Sequence, residues 1–256
     1  MKTAFFTLLF FLVLVIFSLS FSQLSYANHS WGNYHWARTA NPFTLKLGDN
    51  VSPIWDPILT TTSSDWSLSD VLDTRIITGA GLRNCGAVSG RVEVCNKKYG
   101  NNGWLGVAQI WASGTHITKG ITKMNDTYFN TAKYNTPAWR NLVMCQEVGH
   151  TLGLDHQDET FNNPNLGTCM DYTNDSSTNQ HPNAHDYEEL GIIYAHTDSF
   201  TTVSATIAQM AQAYGDVASE NPGDWGRLVR TNGKLAVFEK DFGGGNKLFT
   251  FVIFAE

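Results

Sequence analysis

The sequence reads as an α+β protein, and three observations carry that reading. Short runs rich in β-branched and aromatic residues, bounded by glycine or asparagine, fill much of the first half. A well-capped helical segment follows from Pro137, with a second near Asp186. The C-terminal part returns to strand-like runs split by Asn232-Gly233 and Gly243-Gly244-Gly245-Asn246, both strong turn signals.

Residues 1–27 read as a signal peptide: Lys2, an apolar run from Phe5 to Phe21, then Ser25-Tyr26-Ala27 before the expected cut. The competing reading is an uncleaved anchor. The cleavage site and the polar Asn28-His29-Ser30 argue against it, so no stable membrane insertion is expected after cleavage. A main domain is expected over 28–199, a helix and linker over 200–224, and a small antiparallel β module over 225–256.

From Asn28 to about Leu68 the pattern is irregular, with Trp31, Trp36, Trp55 and Trp66 scattered among proline and aspartate, and it reads as a wrapping around a core. Strands are expected at 71–78, 91–95, 104–111 and 116–123. Thr136 is a good N-cap and Pro137 suits the first helical position, where a missing N–H costs nothing. Trp139, Leu142, Val143, Gln146 and His150 recur at helical spacing, and Gly153 ends the helix in a left-handed conformation. A second helix is expected over 186–195 and another over 203–214. Strands follow at 227–231, 234–241 and 247–254. The run 248–254 is apolar on both faces and is expected to pack against its hairpin partners or the main domain.

The formal charge is −6, and it becomes one unit more negative when Lys2 leaves with the leader. With no Lys/Arg run, nucleic acid and anionic membrane surfaces are poor partners. A charged fraction of 16% suits an extracellular surface rich in Asn, Thr, Ser and Gly. All four cysteines lie in the exported part, and an even count there favours two disulfides. Three connectivities are possible; Cys85 with Cys95 is the local option and leaves Cys145 with Cys169. No two are spaced as a metal-binding pair. The eight tryptophans are too dispersed for a carbohydrate-stacking platform and read as core.

The chemistry concentrates in residues 146–156, Gln-Glu-Val-Gly-His-Thr-Leu-Gly-Leu-Asp-His. On a helix, Gln146 and His150 project from one face and can grip one ion. Gly153 lets the chain reverse and bring back His156 as a third ligand, leaving a position open for water, as a catalytic zinc site requires. The ion lowers the pKa of that water and polarises a carbonyl. Glu147 then takes the proton and passes it to the leaving amine.

This run resembles the H-E-x-x-H-x-x-G-x-x-H pattern of the metzincin clan of zinc endopeptidases, with Gln146 in place of the first histidine. Cys169-Met170-Asp171-Tyr172 resembles the Met-turn of that clan, and Ser113 to Thr118 more weakly resembles a matrixin-type edge strand. The likeness spans roughly Thr44 to His196. It implies a metzincin-like scaffold: a twisted mixed sheet, an active-site helix, the Met-turn and a C-terminal helix. It also implies that Tyr172 assists as switchable ligand or oxyanion donor.

Gln146 is similar to the first residue of the gametolysin-type variant, which implies an amide carbonyl ligand. Such a ligand is neutral, so the ion keeps its charge while affinity falls. Zinc is the expected ion, ahead of copper, cobalt or manganese. The expectation is a secreted, monomeric zinc endopeptidase acting on protein or peptide substrates. The alternative is a catalytically inactive metzincin-like extracellular binding or structural module. His116, His181, His185 and His196 read as surface or satisfied structural histidines, although any of them can in principle replace the missing imidazole. Arg83-Asn84-Cys85-Gly86 faintly resembles a cysteine switch, and a Cys85–Cys95 disulfide is the better reading.

Overall fold

The computed structural model describes residues 28–203 and 219–255. The expected signal peptide and nearly all of the expected 203–214 helix lie outside these residues. Among the described residues, no helix is long and apolar enough to cross a membrane.

The stretch before Leu68 is more regular than its sequence suggests. It holds β1 (His35–Trp36), β2 (Phe43–Asn50) and α1 (Asp56–Trp66). In β2 the buried Phe43, Leu45 and Leu47 alternate with exposed Thr44 and Lys46, the period of a half-buried strand. Helix α1 is rich in Ser, Thr and Asp, which are weak helix formers. Tertiary packing holds it, because Ile58, Leu59, Thr62, Ser63 and Trp66 form one buried face. The tryptophans of this stretch are anchors: Trp36 Nε1 donates to the Thr151 carbonyl at 2.8 Å and Trp66 Nε1 to that of Cys145 at 3.2 Å. A segment read as irregular is thus fastened to the helix that carries the 146–156 run.

Five further elements follow: β3 (Leu72–Thr78), β4 (Val92–Lys97), β5 (Trp104–Ser113), β6 (His116–Asn125) and the single turn α2 (Asp126–Phe129). Helix α3 (Pro137–Thr151) starts as its sequence dictates, with the Thr136 side chain accepting from the Trp139 N–H at 3.2 Å. Helix α4 (Ala184–Ile193) opens on a capping box of Asn183 and Asp186. The chain ends in β7 (Arg227–Thr231), β8 (Leu235–Gly243) and β9 (Asn246–Phe254).

All strands join one mixed sheet of order β3-β2-β4-β6-β5-β9-β8-β7, with β1 pairing beside β6. Strands β3, β2, β4 and β6 run parallel, as does β1 beside β6; β5 reverses, and β9, β8 and β7 pair antiparallel. The C-terminal strands are antiparallel as the turn signals predict, but they extend the main sheet instead of forming a separate one. The free edge of β5 and the apolar run 248–254 satisfy each other, which removes an exposed strand edge.

Helices α1 and α3 cover one face of the sheet, and Trp111, Ile121 and Leu248 pack with the Cys85–Cys95 disulfide in a smaller separate cluster. The second disulfide, Cys145–Cys169, ties α3 to the segment carrying Met170.

Candidate metal centre

Helix α3 places Gln146 and His150 four residues apart on one buried face, with Glu147 beside them. Gly153, at φ +97°, turns the chain; a Cβ there would stand 2.5 Å from the Tyr34 carbonyl oxygen, so this turn needs glycine twice over. The reversal brings the His156 ring against that of His150, with centroids 4.6 Å apart. Met170 lies beneath, where its Sδ would be 2.5 Å from any Cβ at position 149, so Gly149 makes room for it. Gly106 of β5 does the same for Glu147, whose Oε1 would be 2.5 Å from a Cβ there.

The donor set fits a divalent ion. Both carboxylate oxygens of Glu147, the Nε2 atoms of His150 and His156, and Gln146 Nε2 are buried without a hydrogen-bond partner among the described residues. Each unsatisfied buried group costs about 1–3 kcal/mol, a cost that a bound cation would relieve at these residues. The Gln146 amide can turn about its last bond to present its oxygen, the atom a cation requires. His150 Nδ1 lies 3.0 Å from the Leu154 carbonyl and donates to it, which leaves the Nε2 lone pair for an ion.

Electrostatics follow from burial. Burial pushes Glu147 well above the usual carboxylate range, opposed only weakly by the nearby Ala108 N–H, which makes no full hydrogen bond. Burial, aided by the neighbouring His156, drives His150 down to about 3. Burial also pulls His156 down, but the Asp155 and Glu159 carboxylates outweigh it and raise the imidazole overall. Asp155, His156 and Glu159 also form a metal-like group. Arg230 already engages both acids, donating to Asp155 at 2.8 and 2.5 Å and sitting 2.9 Å from Glu159.

Tyr172 lines a groove with Gln146, Leu142 and Ile253, yet its hydroxyl donates to the Lys234 carbonyl at 2.6 Å. None of the other histidines stands in for the imidazole missing at 146. His181 pairs with Asp65 at 2.7 Å, His185 packs on His29, and His116 and His196 gather around Asp198.

The sequence reading missed what closes the site. Strand β9 lies along β5, and Phe251 stacks on the His150 ring at 4.4 Å and 9°. Arg230, Asn232 and Lys234 all reach the loop after His156 or Tyr172. No local pattern signals these contacts, because they join parts of the chain far apart in sequence.

No protein-family model matches the chain, and no curated protein sequence matches it.

Proposed function

We propose that this chain is a secreted metal-dependent endopeptidase on a metzincin-like scaffold, with Gln146, His150 and His156 holding a zinc ion. One observation carries the reading: Gln146, His150 and His156 each keep a buried side-chain nitrogen without a partner, as do both oxygens of Glu147, and the His150 and His156 rings lie 4.6 Å apart. A bound zinc ion there supplies Lewis acidity, lowering the pKa of a water and polarising a peptide carbonyl.

Glu147 is the proton carrier. Its burial raises its proton affinity, so it can take a proton from the attacking water and deliver it to the departing amine. The Leu154 carbonyl fixes the His150 tautomer, and the Asp155–Arg230 pair steadies the loop that carries His156. Tyr172 stands beside Gln146, and its hydroxyl becomes available to a developing oxyanion when the bond to Lys234 is given up.

The second reading, an inactive metzincin-like binding or structural module, is favoured by one observation: Phe251 and β9 cover the site. Glu147→Ala on the purified chain decides between them. Casein hydrolysis should fall about 10²–10⁴-fold while zinc content and melting temperature hold. Hydrolysis unaffected by the substitution, or absent from the zinc-loaded wild type, removes the endopeptidase reading.

A further inference from the structure

A second group of histidines gathers where β1 meets β6. The parallel pairing of these strands sets His35 in register with His116, and their rings lie 4.9 Å apart. After α4 the chain returns to the same place. Asp198 N–H donates to the Arg38 carbonyl and Thr202 N–H to that of Ala37, each at 2.8 Å. That course delivers His196 and Asp198 to the pair. His196 Nε2 then lies 3.2 Å from His35 Nε2, and the Asp198 carboxylate lies 3.6 Å from His35 Nε2 and 3.9 Å from His196 Nε2. One donor atom from each of these three residues falls within 4.8 Å of the others.

Two details point beyond a chance cluster. His35 Nδ1 donates to the Asn33 carbonyl at 2.7 Å, so its proton sits there and Nε2 presents a lone pair. The Nε2 of His196 approaches that lone pair at 3.2 Å. Two nitrogens on a tetrahedral ion with bonds of about 2.0–2.1 Å stand about 3.3 Å apart, so little movement is needed to admit one. The carboxylate is also held from outside. Arg38 donates to Asp198 Oδ2 from its backbone N–H at 3.2 Å and from Nη1 at 3.0 Å, and His116 Nε2 sits 3.2 Å from Oδ1.

We propose that His35, His196 and Asp198 bind a second divalent ion, with His116 and Arg38 as positioning residues that orient the carboxylate. Two imidazoles and a carboxylate suit zinc, and the half-exposed His196 leaves a coordination position to solvent. The ion cross-links β1 to the chain leaving α4. No residue is shared with the Gln146 site.

The test is zinc titration of the metal-free full chain against a chromophoric chelator. The wild type should take up two equivalents and His196→Ala one, and zinc should raise the melting temperature of the wild type more than that of the variant. Position 196 is half exposed, so this variant should fold; Asp198→Ala repeats the test on the carboxylate ligand. Equal stoichiometry and equal zinc stabilisation in wild type and both variants would overturn the site. The result is independent of the peptidase reading, because His150→Ala should remove the other equivalent. If it does not, the Gln146 site is the one that fails.

A separate observation concerns access to the Gln146 site, and it rests on the peptidase reading. Strand β9 occupies the edge of β5 from Trp104 to Ser113, and Phe251 pairs with Ala108 beside Glu147. A peptide substrate that adds to this edge must take the place of β9. Strand β7 and the β7–β8 turn, which lead into the β8–β9 hairpin, are tied down by Arg230 on Asp155 and by Asn232 Nδ2 donating to the Glu159 carbonyl at 2.9 Å. We infer that the hairpin is an intramolecular occupant of the substrate edge that holds hydrolysis below its full rate without abolishing it.

A peptide hydroxamate, which needs only the ion and the edge, should bind Asn232→Ala at least tenfold more tightly than the wild type. Equal or weaker binding to Asn232→Ala would overturn this restraint. Because the readout is binding, failure of hydrolysis alone counts against the peptidase reading and leaves the hairpin result standing.

Discussion

The two histidine groups are built by opposite means. Gln146, His150 and His156 come from one helix and the turn after it, are almost fully buried, and leave their donor atoms unpartnered. His35, His196 and Asp198 come from distant segments, open partly to solvent, and are already linked to one another and to Arg38. The first cannot rest as an ordinary polar cluster, since its orphan donors each carry a desolvation cost. The second can persist without an ion, because every member has a hydrogen-bonding neighbour. The proposed catalytic role of the first rests on burial without partners. The proposed structural role of the second rests on the joining of separate segments.

The largest expected effect separates the two groups. His150→Ala should lower zinc affinity at the buried site by more than about 100-fold, since loss of an outer partner alone costs about 10–100-fold. Hydrolysis should disappear with it. His35→Ala should leave the hydrolytic rate close to wild type while lowering the melting temperature in zinc. Should His35→Ala abolish hydrolysis with the buried site still loaded, the two groups are coupled and the contrast between them is wrong. Restoring imidazole by Gln146→His should hold zinc to a higher chelator concentration. Unchanged retention would mean that position 146 does not touch the ion.

A smaller effect compares a helical glycine near each group. A Cβ at Gly149 would lie 2.5 Å from Met170 Sδ and 2.8 Å from the Trp66 ring, whereas one at Gly191 meets nothing within 4 Å. Gly149→Ala should therefore cost about 1–3 kcal/mol by overpacking. Gly191→Ala, in the last turn of α4, should instead stabilise by up to about 0.5 kcal/mol. Urea unfolding of both variants checks the pair. A neutral Gly149→Ala would mean that the packing under the metal site is slack.

Legibility in the sequence follows the same division between local and distant. Helix α3 was readable because its cap, its first-turn proline and its closing glycine are local features at Thr136, Pro137 and Gly153. The same run carries the proposed ligand spacing, so the candidate site lies on the same local feature as the helix. Strand β2 had a readable signal, the alternation of Phe43, Leu45 and Leu47, which the neighbouring prolines and tryptophans obscured. Helix α1 had almost none, because its stability lies in the packing of Ile58, Leu59 and Trp66 and not in its Ser- and Thr-rich composition. The group at Asp198 was beyond reach. His35 and His116 become neighbours only through a parallel strand pair, which no spacing rule encodes.

The smallest expected effect tests which side of the contrast Tyr172 belongs to. Its position after Met170 places it with the local, readable site. Its hydroxyl nevertheless donates to the Lys234 carbonyl at 2.6 Å and so belongs to the distant hairpin contact. Tyr172→Phe keeps the ring against Phe161, whose centroid is 5.0 Å away, and removes only that bond. The loss should be about 1 kcal/mol of stability, the net worth of one neutral hydrogen bond. Hydroxamate binding should tighten slightly, because the hairpin loses one of its ties. A drop in kcat comparable to that of Glu147→Ala, with stability unchanged, would show instead that the hydroxyl leaves Lys234 and serves the reacting carbonyl.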